Sequence, residues 1–203
     1  MTTSANPQKH KTVVVLLHHP VTNRKGELIT TSITNMDIHD ISRSCRTYEI
    51  DHYFLVSPLD EQREFVGTIL KHWSRGSQLE WHPDRAEAFT RIAVLPSFEA
   101  VKNELSSLYP GFRLEVAMPD ARPLPDQKTY NEIREIWAAE AQIGVKIIVL
   151  GTGWGVAPSF FEEVHTFLAP IYGPLGAEGY NHLSVRAAAA IVLDRLFSLV
   201  RPM

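Results

Sequence analysis

The chain has 203 residues, enough for one domain with a core of its own. Its single cysteine, Cys45, excludes a disulfide framework and suits a reducing compartment, and no apolar run reaches the ~18 residues of a membrane span. A formal net charge of −3 gives no general attraction for nucleic acid, so an RNA partner would need a local basic face.

Residues 1–11 are polar and read as a disordered tail, which leaves 12–203 as one domain. The apolar run Val13 to Leu17 stops at His18-His19-Pro20, too short for a signal-peptide core, so the chain reads as soluble and cytoplasmic. Short apolar runs place strands at Thr12–His18, His52–Ser57, Arg91–Leu95, Arg113–Ala117, Val145–Leu150 and Thr166–Ile171. Helical periodicity lies between them near 36–49, 60–75, 97–108, 127–141 and 158–164, and again over about 182–199. Alternating strand and helix predicts an α/β domain with a mostly parallel sheet. Pro119 to Pro125, with three prolines in seven residues, reads as a stiff surface connection. His18 and His19 are adjacent on a strand and point to opposite faces, which argues against a shared metal.

Three segments carry candidate chemistry. In TNMDIHDISRSCRTYEI, Thr34 to Ile50, Ile38, Ile41, Cys45 and Tyr48 fall on one helical face, and His39, Arg43 and Arg46 on the other. That second stripe is either a solvated face or a cradle for phosphate or ribose. In IIVLGTGWGV, Ile147 to Val156, glycines 151, 153 and 155 follow an apolar strand. A dinucleotide fingerprint needs G-x-G-x-x-G and a further βαβ unit, for which too little chain follows, so an oxidoreductase is disfavoured. In GYNHLSVRAAAAIVLDRL, Gly179 to Leu196, Asn181 is the expected N-cap of an apolar, alanine-rich helix, with His182, Ser184 and Arg186 beside it. Separately, Lys71, Arg75, Arg85 and Arg91 alternate with Trp73 and Trp81, a pattern that suits phosphate contact and base stacking. Lys9, Lys11, Arg24 and Lys25 offer a second basic edge.

These segments, in this order, resemble the three motifs of the SPOUT superfamily of S-adenosyl-L-methionine (SAM)-dependent RNA methyltransferases. TNxDxHDIxRxxRTY, HPxRAE, GTGWG and NHLSVRAAAA are similar to the signatures of a smaller bacterial family within it, sometimes encoded beside a tRNA guanine methyltransferase. The resemblance covers roughly residues 12–200. It implies a C-terminal trefoil knot, a SAM site at the carboxyl end of the sheet, and a homodimer in which one subunit's arginine faces the other's cofactor. It places the cofactor against Leu150, Gly151, Thr152, Gly153 and Gly155, against Pro170 and Ile171, and against Asn181, His182, Leu183 and Ser184, with Tyr180 opening that last loop. Arg43 falls on the arginine tied to catalysis in the ribose-methylating branch, Asp37 falls where many members have asparagine, and Asp37 and His39 are the candidate bases. Arg46, Lys71, Arg75 and Arg85 are the candidate RNA contacts, the RNA being a tRNA or rRNA, and the chemistry needs no metal. The rival reading is an RNA-binding or ribosome-assembly factor that keeps the knot without turnover.

Overall fold

A computed structural model describes residues 10–74 and 81–199. Six strands form one wholly parallel sheet: β1 (Lys11–Leu17), β4 (His52–Val56), β5 (Ile92–Leu95), β6 (Leu114–Pro119), β7 (Val145–Gly151) and β8 (Thr166–Leu168). Their spatial order is β5-β4-β1-β7-β6-β8, so the late strand β7 is inserted between β1 and β6. A separate antiparallel hairpin, β2 (Val21–Thr22) and β3 (Leu28–Ile29), lies just after β1. The helices are α1 (Asn35–Thr47), α2 (Asp60–Trp73), α3 (Pro83–Phe89), α4 (Phe98–Leu108), α5 (Tyr130–Ala139) and α6 (Val185–Phe197).

Both faces of the sheet are covered, as near-continuous apolar strands require. Along β1, Val14 and Leu16 join a core with α1, α5 and α6, while Val13, Val15 and Leu17 join one with α4. Strand β7 divides the same way, Ile148 and Leu150 against Ile147 and Val149. Local chemistry fixes the helix starts. Thr34 and Asp37 form a reciprocal capping box on α1, Thr129 and Glu132 do so on α5, and Ser97 caps α4. One buried cation sits at the start of β7, where Lys146 Nζ lies 2.7 Å from Glu115 and 2.6 Å from Glu140. Burial alone would push the Glu115 carboxyl up, but hydrogen bonding and the charge of Lys146 outweigh it and hold it below its ordinary value.

Several sequence expectations shift. His10 and Lys11 belong to the fold and not to a tail: His10 is buried with a ring nitrogen 2.8 Å from the Trp137 carbonyl, and Lys11 opens β1. Residues 1–9 lie outside the described residues. The last strand ends at Leu168, before Pro170 and Ile171, since proline cannot extend a ladder. The helix expected at 158–164 is a 3₁₀ turn, Pro158–Glu163. The final helix starts at Val185 with Ser184 as its cap, accepting from the Ala187 amide at 3.2 Å; Asn181 is not the cap.

Candidate functional site

At the carboxyl edge of the sheet, loops following β6, β7 and β8 converge on a cavity of about 640 Å³. Such a crevice is where parallel α/β sheets bind ligands, and the volume suits a small molecule. Its wall contains Leu150, Gly151, Thr152, Gly153 and Gly155, then Ile171, then Asn181, His182, Leu183 and Ser184. Three segments that the resemblance assigns to the cofactor are thus brought together. Pro170 and Tyr180 do not line the cavity, and Asn181 uses its side-chain amide to donate to the Ala121 carbonyl at 2.8 Å.

The glycine loop is held from a direction the sequence did not disclose. Thr22 donates its amide to the Gly155 carbonyl at 3.0 Å, and Trp154 returns one to the Thr22 carbonyl at 2.9 Å. Thr152 and Ala157 donate to the carbonyls of Leu17 and Pro20, and the Thr31 and Thr152 hydroxyls lie 2.5 Å apart. The Thr152, Trp154 and Ala157 amides therefore tie the loop to the end of β1 and to the β2–β3 hairpin. Gly153 has φ +62, and a Cβ there would stand 2.8 Å from the Thr22 carbonyl oxygen, so the close approach requires glycine. Behind this junction His18 is fully buried, with Nδ1 3.0 Å from the Thr31 hydroxyl; burial pushes its pKa down to about 4 against a weaker opposing pull from Asp37.

The segment read as a stiff connection supplies charge to the cavity. Asp120 and Arg122 line it with Pro119 and Ala121, and the Asp120 carboxylate receives two Arg122 nitrogens at 2.8 Å each. This pairing holds the guanidinium fork over Gly155, within 3.4 Å of where a Cβ would stand. Trp154, Val156, Val185 and Ala188 complete the wall. Trp154 lies within the expected glycine loop, but sequence reasoning missed the other seven, although the PDAR after an apolar strand was a visible signal.

The α1 candidates stand apart from the cavity wall. Arg43 is exposed, and among the described residues its guanidinium makes no hydrogen bond or ion pair. Asp37 is buried and occupied by the capping box, accepting from the Thr34 amide and hydroxyl at 3.0 and 2.6 Å. Arg186, at the start of α6, ties this end of α1 down, lying 3.3 Å from Asp40 and 3.8 Å from Asp37. His39 packs against Trp73 and Phe89, with ring centroids 5.4 and 4.8 Å away; burial first, then Arg85 and Arg43, lowers its pKa.

The expected RNA face is partly used up in packing. Arg46 is bonded to Glu87 at 2.9 Å and to Glu49 at 2.5 Å, and Arg85 stacks 4.9 Å over the Trp73 ring. Trp73 belongs to that aromatic cluster, whereas Lys71 and Trp81 are exposed. Arg75 lies outside the described residues. Leu193, Leu196 and Phe197 on the final helix are buried in the core of the chain itself.

Among the described residues, no group of three or more His, Cys, Asp or Glu side chains is placed to hold a metal, and no helix is long and apolar enough to cross a membrane. A 181-residue match, covering 89% of this chain and 40% of the other protein, is 36% identical to a tRNA (guanine-N(1)-)-methyltransferase of Nitratidesulfovibrio vulgaris. The chain thus spans well under half of that relative's length. An uncharacterized protein of Aquifex aeolicus is 37% identical over 91% of this chain and 87% of its own length. The fold is shared with a TrmH/SpoU tRNA modifying enzyme from A. aeolicus (TM-score 0.52, 13% identity, 95% of this chain and 77% of that one). It is also shared with the SpoU methyltransferase AviRb of Streptomyces viridochromogenes, solved with AdoMet (TM-score 0.50, 11% identity, 91% and 56%). A family profile described as SAM-dependent RNA methyltransferase matches residues 11–198, and with the convergent loops and the cavity this assigns the chain to that family, whose cofactor is SAM.

Proposed function

We propose that the cavity at the carboxyl edge holds SAM and that the chain transfers its methyl group to a ribose or base of a structured RNA, a tRNA or rRNA. The observation that carries this reading is the convergence of the three loops on one pocket of about 640 Å³ in a chain of this family. Leu150, Ile171, Leu183 and Val185 offer apolar walls for a flat heterocycle, and the cavity's polar side chains are few and localised. Asp120 can accept further from ribose hydroxyls or an ammonium group, and Arg122, its Nε and Nη2 engaged by Asp120, can offer its Nη1 to a carboxylate.

Bound SAM supplies an electrophilic methyl on a positively charged sulfur. The protein's task is then to align an attacking oxygen or nitrogen and to receive one proton, so positioning dominates. Arg43 is the group we assign to orienting the ribose or phosphate and stabilising developing charge. Because it does not line the cavity of its own chain, it would act on a second subunit's cavity in a homodimer. Its neighbour His39, whose pKa burial lowers, is the candidate base, while Asp37 serves through the helix start it organises. Arg46, Lys71 and Arg85 would flank the RNA, Arg46 and Arg85 in paired form. We read the C-terminal end as a trefoil knot, a reading supported by the hydrogen bonds of Phe167, Ala169 and Asn181 to the 120–128 loop. We further read the chain from His10 onward as one domain acting in the cytoplasm.

The test is labelled methyl transfer from SAM to total RNA of a strain lacking the protein, with Arg43→Ala alongside. Arg43→Ala should lower turnover by roughly 100-fold or more, the scale of losing a charge-stabilising group, with little change in SAM affinity. Full-rate transfer by that variant would remove Arg43 from the mechanism. RNA retention without any methyl incorporation would favour the assembly-factor reading.

A further inference from the structure

At the mouth of the cavity stand exposed rings, two of them, Trp154 and His182, belonging to its wall, whose solvent-facing surface the methyl-transfer reading leaves unused. Tyr180 is 86% exposed and Trp154 is 56% exposed, an unusual display for large aromatics on two adjoining loops. The His182 ring lies between them, its centroid 5.3 Å from that of Tyr180 and 6.4 Å from that of Trp154. Arg24 places its guanidinium 5.9 Å over the Trp154 ring. It projects from a hairpin tip that Asn23 makes rigid, accepting from the Lys25 and Glu27 amides at 2.8 and 3.1 Å. Lys25 follows it, also exposed.

From this arrangement we infer that Tyr180, His182 and Trp154, with Arg24 and Lys25, form a stacking platform for one or two unpaired nucleobases of the RNA and the phosphate between them. The inference rests on the RNA-methyltransferase reading and adds where, and in what form, the RNA meets the protein. A π-face stacks on any base, while a cation beside it attracts the backbone, so the platform selects single-stranded or flipped-out nucleotides over duplex. An apolar contact with a second copy would not need two cations held on a stiffened turn. The position also fits the chemistry: the platform borders the pocket wall through Trp154 and His182, so a base stacked there lies next to the cavity opening.

The experiment measures anisotropy of labelled oligo(A), oligo(U) and hairpin-duplex RNA of about 12 nucleotides, within the site size of such platforms. The full chain is compared with Arg24→Ala, Tyr180→Ala and Tyr180→Phe. Single strands should bind more tightly than duplex. Tyr180→Ala should weaken single-strand binding roughly tenfold, within the range one stacked base supplies, and Tyr180→Phe should restore it. Arg24→Ala should weaken binding and reduce its salt dependence. SAM affinity, followed by calorimetry, should hold in all three variants, since neither side chain lines the cavity. Equal affinity for duplex, no binding to any strand, or binding unchanged in Tyr180→Ala and Arg24→Ala would overturn the platform. So would sedimentation showing that Tyr180→Ala only disrupts dimers, which would give the patch to a second copy. Failure of the wild-type chain to bind SAM would instead remove the methyl-transfer reading, with the oligonucleotide result still standing.

Discussion

Replacing Gly153 by alanine should damage the molecule twice over, and two other glycines separate the causes. At Gly153 the backbone is left-handed, φ +62, which costs an alanine about 1–2 kcal/mol. The added methyl also meets the Thr22 carbonyl at 2.8 Å, a backbone atom that itself accepts from the Trp154 amide at 2.9 Å, so relief must open the loop–hairpin junction. Crowding of this kind costs a further ~1–3 kcal/mol. The sum is about 2–5 kcal/mol, which for a chain of this size lowers the melting temperature by roughly 4–20 °C. Gly26 has φ +80 with open space around it, so Gly26→Ala should carry only the conformational part, about 1–2 kcal/mol. Gly67, inside α2 with nothing within 4 Å, should gain about 1 kcal/mol on becoming alanine. Urea unfolding of the three variants gives the ordering, and calorimetric SAM binding should fail or weaken sharply only for Gly153→Ala. If Gly153→Ala proves no more costly than Gly26→Ala, the close approach to Thr22 is not what fixes the loop.

Two further outcomes concern charge in the interior. His18 stays neutral in the folded protein down to about pH 4, whereas in the unfolded chain it takes up its proton near the ordinary value of 6.5. The unfolded state therefore binds more protons between these limits, and stability, fully present above about pH 6.5, falls by up to ~3 kcal/mol as pH drops to about 4. Unfolding curves of His18→Asn, which cannot titrate there, should show a shallower pH slope across that window; an unchanged slope would refute the assignment. Lys146→Met strands the Glu115 carboxylate and should cost about 3–5 kcal/mol in urea, most of it recovered when Glu115→Gln is added. A loss under ~1 kcal/mol in the single variant would mean that water reaches the pair.

The six sheet strands were legible because each is a short apolar run, whereas the helix starts were placed only approximately, since the caps Ser97, Thr129 and Ser184 are ordinary polar residues among many. The β2–β3 hairpin was not, since two-residue strands carry no periodicity; only the NRKG turn hinted at it, and it was read for its charge. That omission hid the grip on the glycine loop. The three cofactor segments were found through resemblance, and the cavity joins them, yet Asp120 and Arg122 escaped because prolines around them suggested a mere connector. Nothing along the chain tells which loop faces a pocket, as that depends on β7 entering between β1 and β6. The packing partners within the RNA stripe were hidden for a related reason: charges at helical spacing on α1 and α3 find Glu87 and Trp73 across the helix boundary.

The late arrival of β7 in the middle of the sheet has a consequence for synthesis. Lys11 to Leu17 pair with Val145 to Gly151, so until the ribosome has delivered some three quarters of the chain, one whole side of β1 has open amides and carbonyls. That strand is almost entirely Val and Leu and meets β4 only on its other side. A nascent or truncated product lacking residues beyond 144 would therefore offer a sticky, unprotected rim to any extended segment nearby.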